Sequence, residues 1–202
     1  MSFDCLPVYY WPESSASIPV NQSLIVIGVH TPPTTLRAQA RKLVRIALKQ
    51  VLAAKLACPV TEIKLSTQAG QGLKLLQAKK TIGLSVSHES GLSVAAINMN
   101  GKVGIDLIDI KTIPNNSEID ALANDYLGVK TAKHLFNLPP EQQSRAFAEA
   151  WTEFEAHLKY QEKNLSEYES LNGLHTNNLN TRHLKLPEGY IGTVVFSNSF
   201  NV

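Results

Sequence analysis

The strongest constraint on the fold is an apolar run over residues 103–109 that carries a carboxylate, Asp106, in its centre. The run follows Asn100 and Gly101, a pair favoured in tight hairpin turns, and it predicts a strand over 102–107. An unpaired carboxylate is costly to bury, so Asp106 must meet water, a cation or a hydrogen-bond donor. A cap or a salt-bridge partner is the ordinary role of such an aspartate.

The second constraint is a helical pattern over residues 141–163 that places Trp151, Glu155 and Lys159 at four-residue steps on one face. Glu155 alone indicates little, because exposed acids are common on helices. If this face meets the end of the strand, Asp106 and Glu155 supply two acids and Lys159 supplies a cation. Magnesium prefers oxygen ligands from one or two carboxylates together with phosphate and water, so two acids are enough for a site.

The remaining patterns indicate a mixed α+β chain. Strands are predicted at 23–30, 82–86, 92–97 and 190–196, and further helices at 36–56, 118–126 and 130–138. Thr34 or Thr35 is expected to cap the 36–56 helix; a mobile loop or a short hairpin is expected at 66–80, and an exposed loop at 172–182. A turn cluster over 114–117 divides the chain into an N-terminal half, 1–113, and a C-terminal half, 114–202.

Composition excludes several classes of protein. The 202 residues are 44% hydrophobic, enough to bury a substantial core in one domain or two halves. The 19 basic and 17 acidic side chains form no long run of one sign, which argues against nucleic-acid binding. Two cysteines without metal-type spacing suit a reducing compartment. The N-terminus does not resemble a secretion signal and no stretch is long enough to span a membrane, so we expect a cytoplasmic protein that does not enter the membrane.

The segment 85–91 is a third group of polar residues, predicted as the turn between two strands. Its hydroxyls and His88 are suitable phosphate ligands, although an ordinary polar hairpin turn would have the same composition. Ser87 is not expected to be a hydrolase nucleophile activated by His88. Adjacent side chains at a strand end point to opposite sides, and a Gly-x-Ser-x-Gly motif is absent.

Two other groups of residues have simple explanations. His134, Glu153 and His157 lack the spacing of a zinc site, so we expect them to be solvated helix residues. A basic stripe on the 36–56 helix is formed by Arg37, Arg41, Arg45 and Lys49. Such a stripe is usually a solvated face, but one or two of its arginines can also reach a ligand phosphate.

The polar turn, the strand end and the helix, in this order, resemble the 4′-phosphopantetheinyl transferase superfamily. That family shows a Ser-His turn, a Gly-Ile/Val-Asp strand end and a Trp-x-x-Lys-Glu-Ala-x-x-Lys helix. The matching residues are Ser87-His88, Gly104-Ile105-Asp106 and Trp151-x-x-Phe-Glu-Ala-x-x-Lys159. The chain length is similar to that of the larger class, in which two similar α/β halves form a pseudo-twofold unit with coenzyme A in the cleft between them.

The resemblance implies an activity and a set of roles. The enzyme would transfer the 4′-phosphopantetheine arm of coenzyme A to a serine of an apo acyl or peptidyl carrier protein, releasing adenosine 3′,5′-bisphosphate. The 3′-phosphate would lie near Ser87 and His88, and the diphosphate near Mg²⁺ held by Asp106 and Glu155. Glu155, directly or through a water, would accept the serine proton, and Lys159 would stabilise the leaving bisphosphate. A monomer is expected, since the smaller class alone needs to trimerise.

The chain departs from the family pattern at three points. Ile108 stands where many larger members have a second strand carboxylate, and Asp109 follows one residue later. Phe154 stands where the family usually has lysine, and the segment 72–75 is a poor match to the family's Gly-Lys-Pro motif. These departures motivate an alternative hypothesis, a homologue that binds coenzyme A or a carrier protein without transferring anything.

Overall fold

The computed structural model describes residues 5–14, 17–66, 72–76, 82–165 and 179–197. It is a mixed α+β structure, as the sequence patterns predict. The helices are α1 (Arg37–Leu56), α2 (Asn116–Leu122), α3 (Val129–Phe136) and α4 (Pro140–Tyr160). The strands are β1 (Tyr9–Tyr10), β2 (Leu24–His30), β3 (Gly83–Glu89), β4 (Leu92–Asn98), β5 (Val103–Asp109), β6 (Leu179–His183) and β7 (Tyr190–Ser197).

The strands form two sheets. In the first sheet the order is β1-β2-β4-β3, with β1 parallel to β2 and the other pairs antiparallel. In the second sheet the order is β5-β7-β6, and both pairs are antiparallel. The edge strands β3 and β5 are in contact: the backbone N–H of Ile105 donates a hydrogen bond to the Ser85 hydroxyl at 3.1 Å. This junction brings the ends of β3 and β5 together.

The first sheet is buried on both faces, which explains the continuous apolar character of β2. Alternate residues of β2, such as Ile25 and Ile27, pack in a cluster with α1, whereas Leu24 and Val26 face the other way. That second cluster also contains Ile105 and other residues of β5 and β7. The two sheets therefore share one apolar layer, and α1 covers the opposite face of the first sheet.

Helix α4 covers the other face of the second sheet, and Gly104 allows it to lie close. A Cβ atom at Gly104 would stand 2.0 Å from the Ala156 carbonyl oxygen and 2.5 Å from the Tyr160 amide nitrogen, both backbone atoms. Glycine is therefore required at this position of β5 by the distance to α4 rather than by backbone dihedral angles. The close packing fixes which residues of α4 face the strand end.

The N-terminal half of α4 belongs to a separate helical cluster with α2 and α3. Phe147 is fully buried there, and Trp151 stacks against it at 5.5 Å between ring centroids. Phe154 packs in the same cluster, 6.1 Å from the Trp151 ring. One helix thus serves as an apolar core element at its beginning and as a polar wall near its end.

Most predicted elements are confirmed, but several local predictions are wrong. Thr34 and Thr35 do not cap α1; Leu36 is at the N-cap position, and no side chain caps the helix. The turn between β3 and β4 is shorter than expected, so His88 lies in the strand. The 118–126 segment is α2 followed by one π-helical turn over Ala123–Leu127.

A further correction concerns the Asn100-Gly101 turn. It joins β4 to β5 without pairing them, because β4 hydrogen-bonds to β2 and β3, whereas β5 hydrogen-bonds to β7. The turn therefore links the two sheets instead of closing a hairpin.

In the segments that were expected to be loops, residues 179–182 are part of β6 rather than loop. Leu65 and Leu75 form an isolated bridge at the base of the 66–80 segment. The rest of 172–182 and most of 66–80 lie outside the described residues. The division of the chain at residue 113 stays a prediction. Among the described residues no helix has the length and apolar character needed to cross a membrane.

Candidate active site

Asp106 is the centre of the predicted site, and its side-chain contacts come from two other elements, β3 and α4. It is on the α4-facing side of β5, and its side chain is 10% exposed. Its Oδ1 atom accepts a hydrogen bond from the Ser87 hydroxyl of β3 at 2.8 Å and one from the Lys159 ammonium of α4 at 2.6 Å. The same ammonium is 3.3 Å from the Ser87 oxygen. The structure therefore brings together three residues that are far apart in the sequence.

Glu155 lies one helical turn before Lys159 and faces the same site without making an ion pair or a hydrogen bond to any described residue. Partial burial raises the pKa of its carboxyl, the negative charge of Asp106 raises it further, and the Lys159 ammonium opposes both effects. The two acids therefore lie close enough to repel each other. A group that adds positive charge here would relieve that repulsion.

The acids fit a magnesium ion in chemistry as well as in charge. The Oδ2 atom of Asp106 has no hydrogen-bond partner in the described part of the chain, and neither has the Glu155 carboxylate. The described residues contain no group of three or more His, Cys, Asp or Glu side chains that could hold a metal ion between them. The unpaired Oδ2 atom of Asp106 and the Glu155 carboxylate suit Mg²⁺, which takes its remaining ligands from phosphate oxygens and water.

Glu89 is an acid of this site that the sequence reasoning missed. It is two residues beyond Ser87 on β3, so both side chains lie on the face directed towards β5. Partial burial raises the pKa of the Glu89 carboxyl, and the charges of Asp106 and Asp109 raise it further. Polar residues at every second position, Ser85, Ser87 and Glu89, indicate one face of a strand. We did not predict this face because the segment was interpreted as a turn.

His88 points to the other side of β3, towards α1. Its Nδ1 atom lies 2.8 Å from the hydroxyl of Ser93 on β4. Burial lowers the pKa of the imidazole to about 4, and nearby cations contribute. In order of effect these cations are Arg41, Arg37, Lys159 and Arg45. His88 is therefore neutral at physiological pH in a cationic environment.

The arginine stripe of α1 is an accessible cationic surface. Arg37 and Arg41 are exposed, Arg45 is half-buried, and none of the three makes an ion pair with a described acid. Arg41 and Arg45 also line a groove of about 520 Å³. The other residues of the groove are Ala38, Lys42, Ile46, Lys49 and Leu65. The stripe is solvated, as expected, and lies near enough to His88 to bind the same anion.

A buried pair of hydroxyls joins α4 to the second sheet beside Asp106. Thr152 and Thr193 are both fully buried, and their Oγ1 atoms are 2.9 Å apart. Thr193 is directly opposite Asp106 in the β5–β7 register, so the pair sets the rotation of α4 at the height of the acids. Sequence inspection could not have found it, because the partners are 41 residues apart and threonine is common in both elements.

The residues considered for zinc do not form a site. His134 is exposed on α3, as expected. The prediction that His157 is solvated is wrong, because its side chain is buried on α4 with Nε2 at 3.9 Å from Glu153. Burial lowers the pKa of its imidazole. Ile108, which replaces the family's second strand acid, is half-buried on β5.

Comparison with known proteins gives two matches. Residues 102–195 match the model of a family described as the 4′-phosphopantetheinyl transferase superfamily. An 82-residue stretch is 30% identical to the 4′-phosphopantetheinyl transferase HetI of Nostoc sp. strain PCC 7120, covering 41% of this chain. The match spans about a third of that relative's length, 33%. The family match contains β5, α4 and most of β7, and therefore Asp106, Glu155 and Lys159.

Proposed function

Since this chain belongs to the 4′-phosphopantetheinyl transferase superfamily, we propose that it transfers the phosphopantetheine arm of coenzyme A to a serine hydroxyl of an apo carrier protein. One observation carries the proposal: Asp106, Lys159 and Ser87 meet within hydrogen-bonding distance, and the unpaired Glu155 faces the same point. Two acids and a cation at one place are what a metal-bound diphosphate requires.

Asp106 and Glu155 would hold Mg²⁺, and the ion would polarise the phosphate under attack. The serine oxygen of the carrier bonds to the phosphorus that bears pantetheine, and the bond from that phosphorus to the bridging oxygen breaks. Adenosine 3′,5′-bisphosphate leaves with the bridging oxygen and its electron pair. The serine proton passes to Glu155, whose raised pKa favours its role as a base.

Lys159 would act on the diphosphate, and Ser87 would act on the carboxylate that holds the metal. The Lys159 ammonium is beside Asp106, where it can offset the negative charge that develops on the departing bisphosphate. Ser87 holds the carboxylate by donating to Oδ1, so it fixes the direction in which Oδ2 points.

His88 and the arginine stripe would take the 3′-phosphate of coenzyme A. A neutral imidazole among cations is poised to gain a proton when a phosphate dianion arrives, and the exposed guanidinium groups of Arg37 and Arg41 can form paired hydrogen bonds to phosphate oxygens. In this proposal the coenzyme lies across β3, with its diphosphate on the Ser87 side and its 3′-phosphate on the His88 side. The pseudo-twofold arrangement of two halves around it is part of the same proposal.

The test is a transfer assay with intact proteins. The protein is incubated with coenzyme A, Mg²⁺ and a panel of apo acyl and peptidyl carrier proteins, and mass spectrometry measures the phosphopantetheine mass gain. We expect the gain with at least one carrier and its loss when EDTA removes the metal. Coenzyme A binding without a mass gain on any carrier would contradict the proposal.

Dephospho-coenzyme A, which lacks the 3′-phosphate, separates the two parts of the site in the same assay. Because its diphosphate is intact, we expect transfer to persist with a higher KM and a similar kcat. An unchanged KM would show that His88 and the arginines do not bind the 3′-phosphate.

A further inference from the structure

Lys159 and a metal ion would need the same carboxylate. In this structure the Lys159 ammonium lies 2.6 Å from Asp106 Oδ1, at the short end of the range for charge-assisted hydrogen bonds. The Asp106 side chain is 10% exposed and that of Lys159 is 29% exposed, so water screens the pair only in part. In the free protein, Lys159 already neutralises Asp106.

A dication held by Asp106 and Glu155 would face that ammonium at close range. Like charges repel strongly where solvent is scarce, so both cannot keep their full contact with Asp106. Glu155, which has no partner among the described residues, does not compensate a second cation fully. Metal binding therefore requires the ammonium to move away from the carboxylate.

Lys159 has the freedom to move. Its stem is flexible and partly exposed, and its only hydrogen bonds within the described residues go to Asp106 and Ser87. A diphosphate bound beside the metal would offer new acceptors for the ammonium. The positive charge would then pass from carboxylate to phosphate.

We propose that Lys159 is the counter-ion of Asp106 in the free protein and is displaced when metal binds, so that metal and diphosphate bind together far better than metal binds alone. This inference rests on the metal site of the proposed function and adds a coupling between two ligands. It predicts that removal of Lys159 strengthens the binding of a bare metal ion.

The experiment uses Mn²⁺ as the probe and isothermal titration calorimetry of the full chain without coenzyme or carrier. We expect Lys159→Met to bind Mn²⁺ about ten-fold more tightly than the unsubstituted protein, about 1.4 kcal/mol. Lys163→Met is the matched control, because Lys163 is exposed, carries the same charge and makes no ion pair with a described residue. Lys159→Arg keeps the positive charge and should bind Mn²⁺ as weakly as the unsubstituted protein.

Thermal unfolding provides a second measurement. Without its counter-ion Asp106 is buried and uncompensated, so Lys159→Met should have a lower Tm, and Mn²⁺ should raise its Tm more than that of the unsubstituted protein. Equal or weaker Mn²⁺ binding by Lys159→Met, absence of Mn²⁺ binding in both proteins, or an equal gain in Lys163→Met would overturn the inference.

A third measurement tests the coupling with the preformed complex of Mn²⁺ and pyrophosphate. The unsubstituted protein should prefer this complex to Mn²⁺ alone by a larger factor than Lys159→Met does, and equal factors would contradict the coupling. None of these titrations involves transfer. Failure of the coupling therefore leaves the mass-spectrometric assay unaffected, and failure of that assay leaves these titrations interpretable.

Discussion

The two sides of β3 differ in the sign of the charge around them: acids surround one side and cations the other. On the side of Ser87, burial and the charge of Asp106 raise the pKa of both Glu155 and Glu89, and Lys159 forms an ion pair with Asp106. On the side of His88 the arginines of α1 make no ion pair with a described acid, although the charge of Arg37 lowers the pKa of Glu89, and their charges help burial to lower the pKa of the imidazole. One side needs positive charge and the other needs negative charge.

A ligand that carries both charges would satisfy both sides at once. A metal-bound diphosphate places its cation next to the acids, and a further phosphate of the same molecule can reach the arginines. Since successive residues of a strand point to opposite sides, one dipeptide, Ser87-His88, contributes to both. The difference between the sides is thus the structural reason for proposing one large phosphorylated ligand, and each prediction below affects one side more than the other.

The largest effect is expected from the acids. Asp106→Asn and Glu155→Gln should each lower kcat/KM for transfer by at least ~10³-fold, about 4 kcal/mol, because each removes the charge of a proposed metal ligand at nearly constant shape. The loss should persist at saturating Mg²⁺. Steady-state kinetics with a carrier that the unsubstituted protein modifies provides the measurement.

Asp109→Asn is the matched control for these two variants. Asp109 is at the end of the same strand and accepts a hydrogen bond from the Lys111 backbone N–H, which asparagine can also accept. Its activity should stay within a few-fold of the unsubstituted protein. Full activity of Asp106→Asn together with a loss in Asp109→Asn would mean that the wrong strand acid has been assigned to the metal.

The next effect concerns the position of the acid side relative to the rest of the fold. Gly104→Ala would place a methyl group 2.0 Å from the Ala156 carbonyl oxygen, so α4 must shift from β5. We expect a loss of about 3 kcal/mol in the free energy of unfolding, measured by urea denaturation. Gly72→Ala, which has open space around it, should change stability little.

In a Gly104→Ala protein that still folds, the two sides should respond differently. Glu155 and Lys159 move with α4, whereas His88 and α1 lie in another layer. Transfer should therefore fall more than binding of adenosine 3′,5′-bisphosphate. Equal losses of both would show that the two sides are not separable.

A smaller effect is expected at Phe154, where the family usually has a lysine. Phe154 packs against Trp151 in the helical cluster, so a lysine there would have to bury part of its charge or leave the cluster. Phe154→Lys should cost about 2 kcal/mol of stability by urea denaturation and give no gain in transfer. Phe136→Lys, at an exposed position of α3, should cost much less. A gain in activity on Phe154→Lys would place residue 154 on the ligand side.

The sequence predicted which side chains meet at β5 better than it predicted the connections between the elements. Asp106, Glu155 and Lys159 could be named because each stands at a regular position of a strand or helix, where side-chain direction follows from periodicity. The pairing of β5 with β7 could not be inferred, because local patterns identify strands and not their partners. The Asn100-Gly101 turn shows the difference: its residues favour a hairpin, but β4 pairs with β2 and β3, whereas β5 pairs with β7.

Burial and charge at the site also required the structure. Glu89 was placed in a turn because His88-Glu-Ser-Gly91 is polar, yet β3 continues through Glu89 in pairing with β4. Phe154 was read as a missing cation because only the motif was visible. Its contact with Trp151 shows a core residue instead, and this contact depends on α2 and α3, which have no motif of their own.

The smallest predicted effect is the uptake of protons at His88 when a phosphate ligand binds. In the free protein the pKa of His88 is about 4, below its ordinary value of 6.5, so the imidazole is neutral at pH 6. A phosphate dianion bound beside it favours the protonated form and raises that pKa. Binding of adenosine 3′,5′-bisphosphate should therefore take up protons at His88, and on lowering the pH from 7.5 to 5.5 the affinity of the unsubstituted protein should increase relative to that of His88→Asn.

The measurement is isothermal titration calorimetry at pH 6 in two buffers of different ionisation enthalpy, which gives the number of protons exchanged. The phosphates of the ligand release protons when they bind to arginines, so the informative quantity is the difference between the unsubstituted protein and His88→Asn. We expect about half a proton more uptake in the unsubstituted protein, because a group whose pKa rises from about 4 past 6 changes its protonation at this pH by roughly that amount. Identical proton counts would mean that the phosphate does not reach His88. The ligand would then be confined to the acid side of β3, and the cations of α1 would need a different partner.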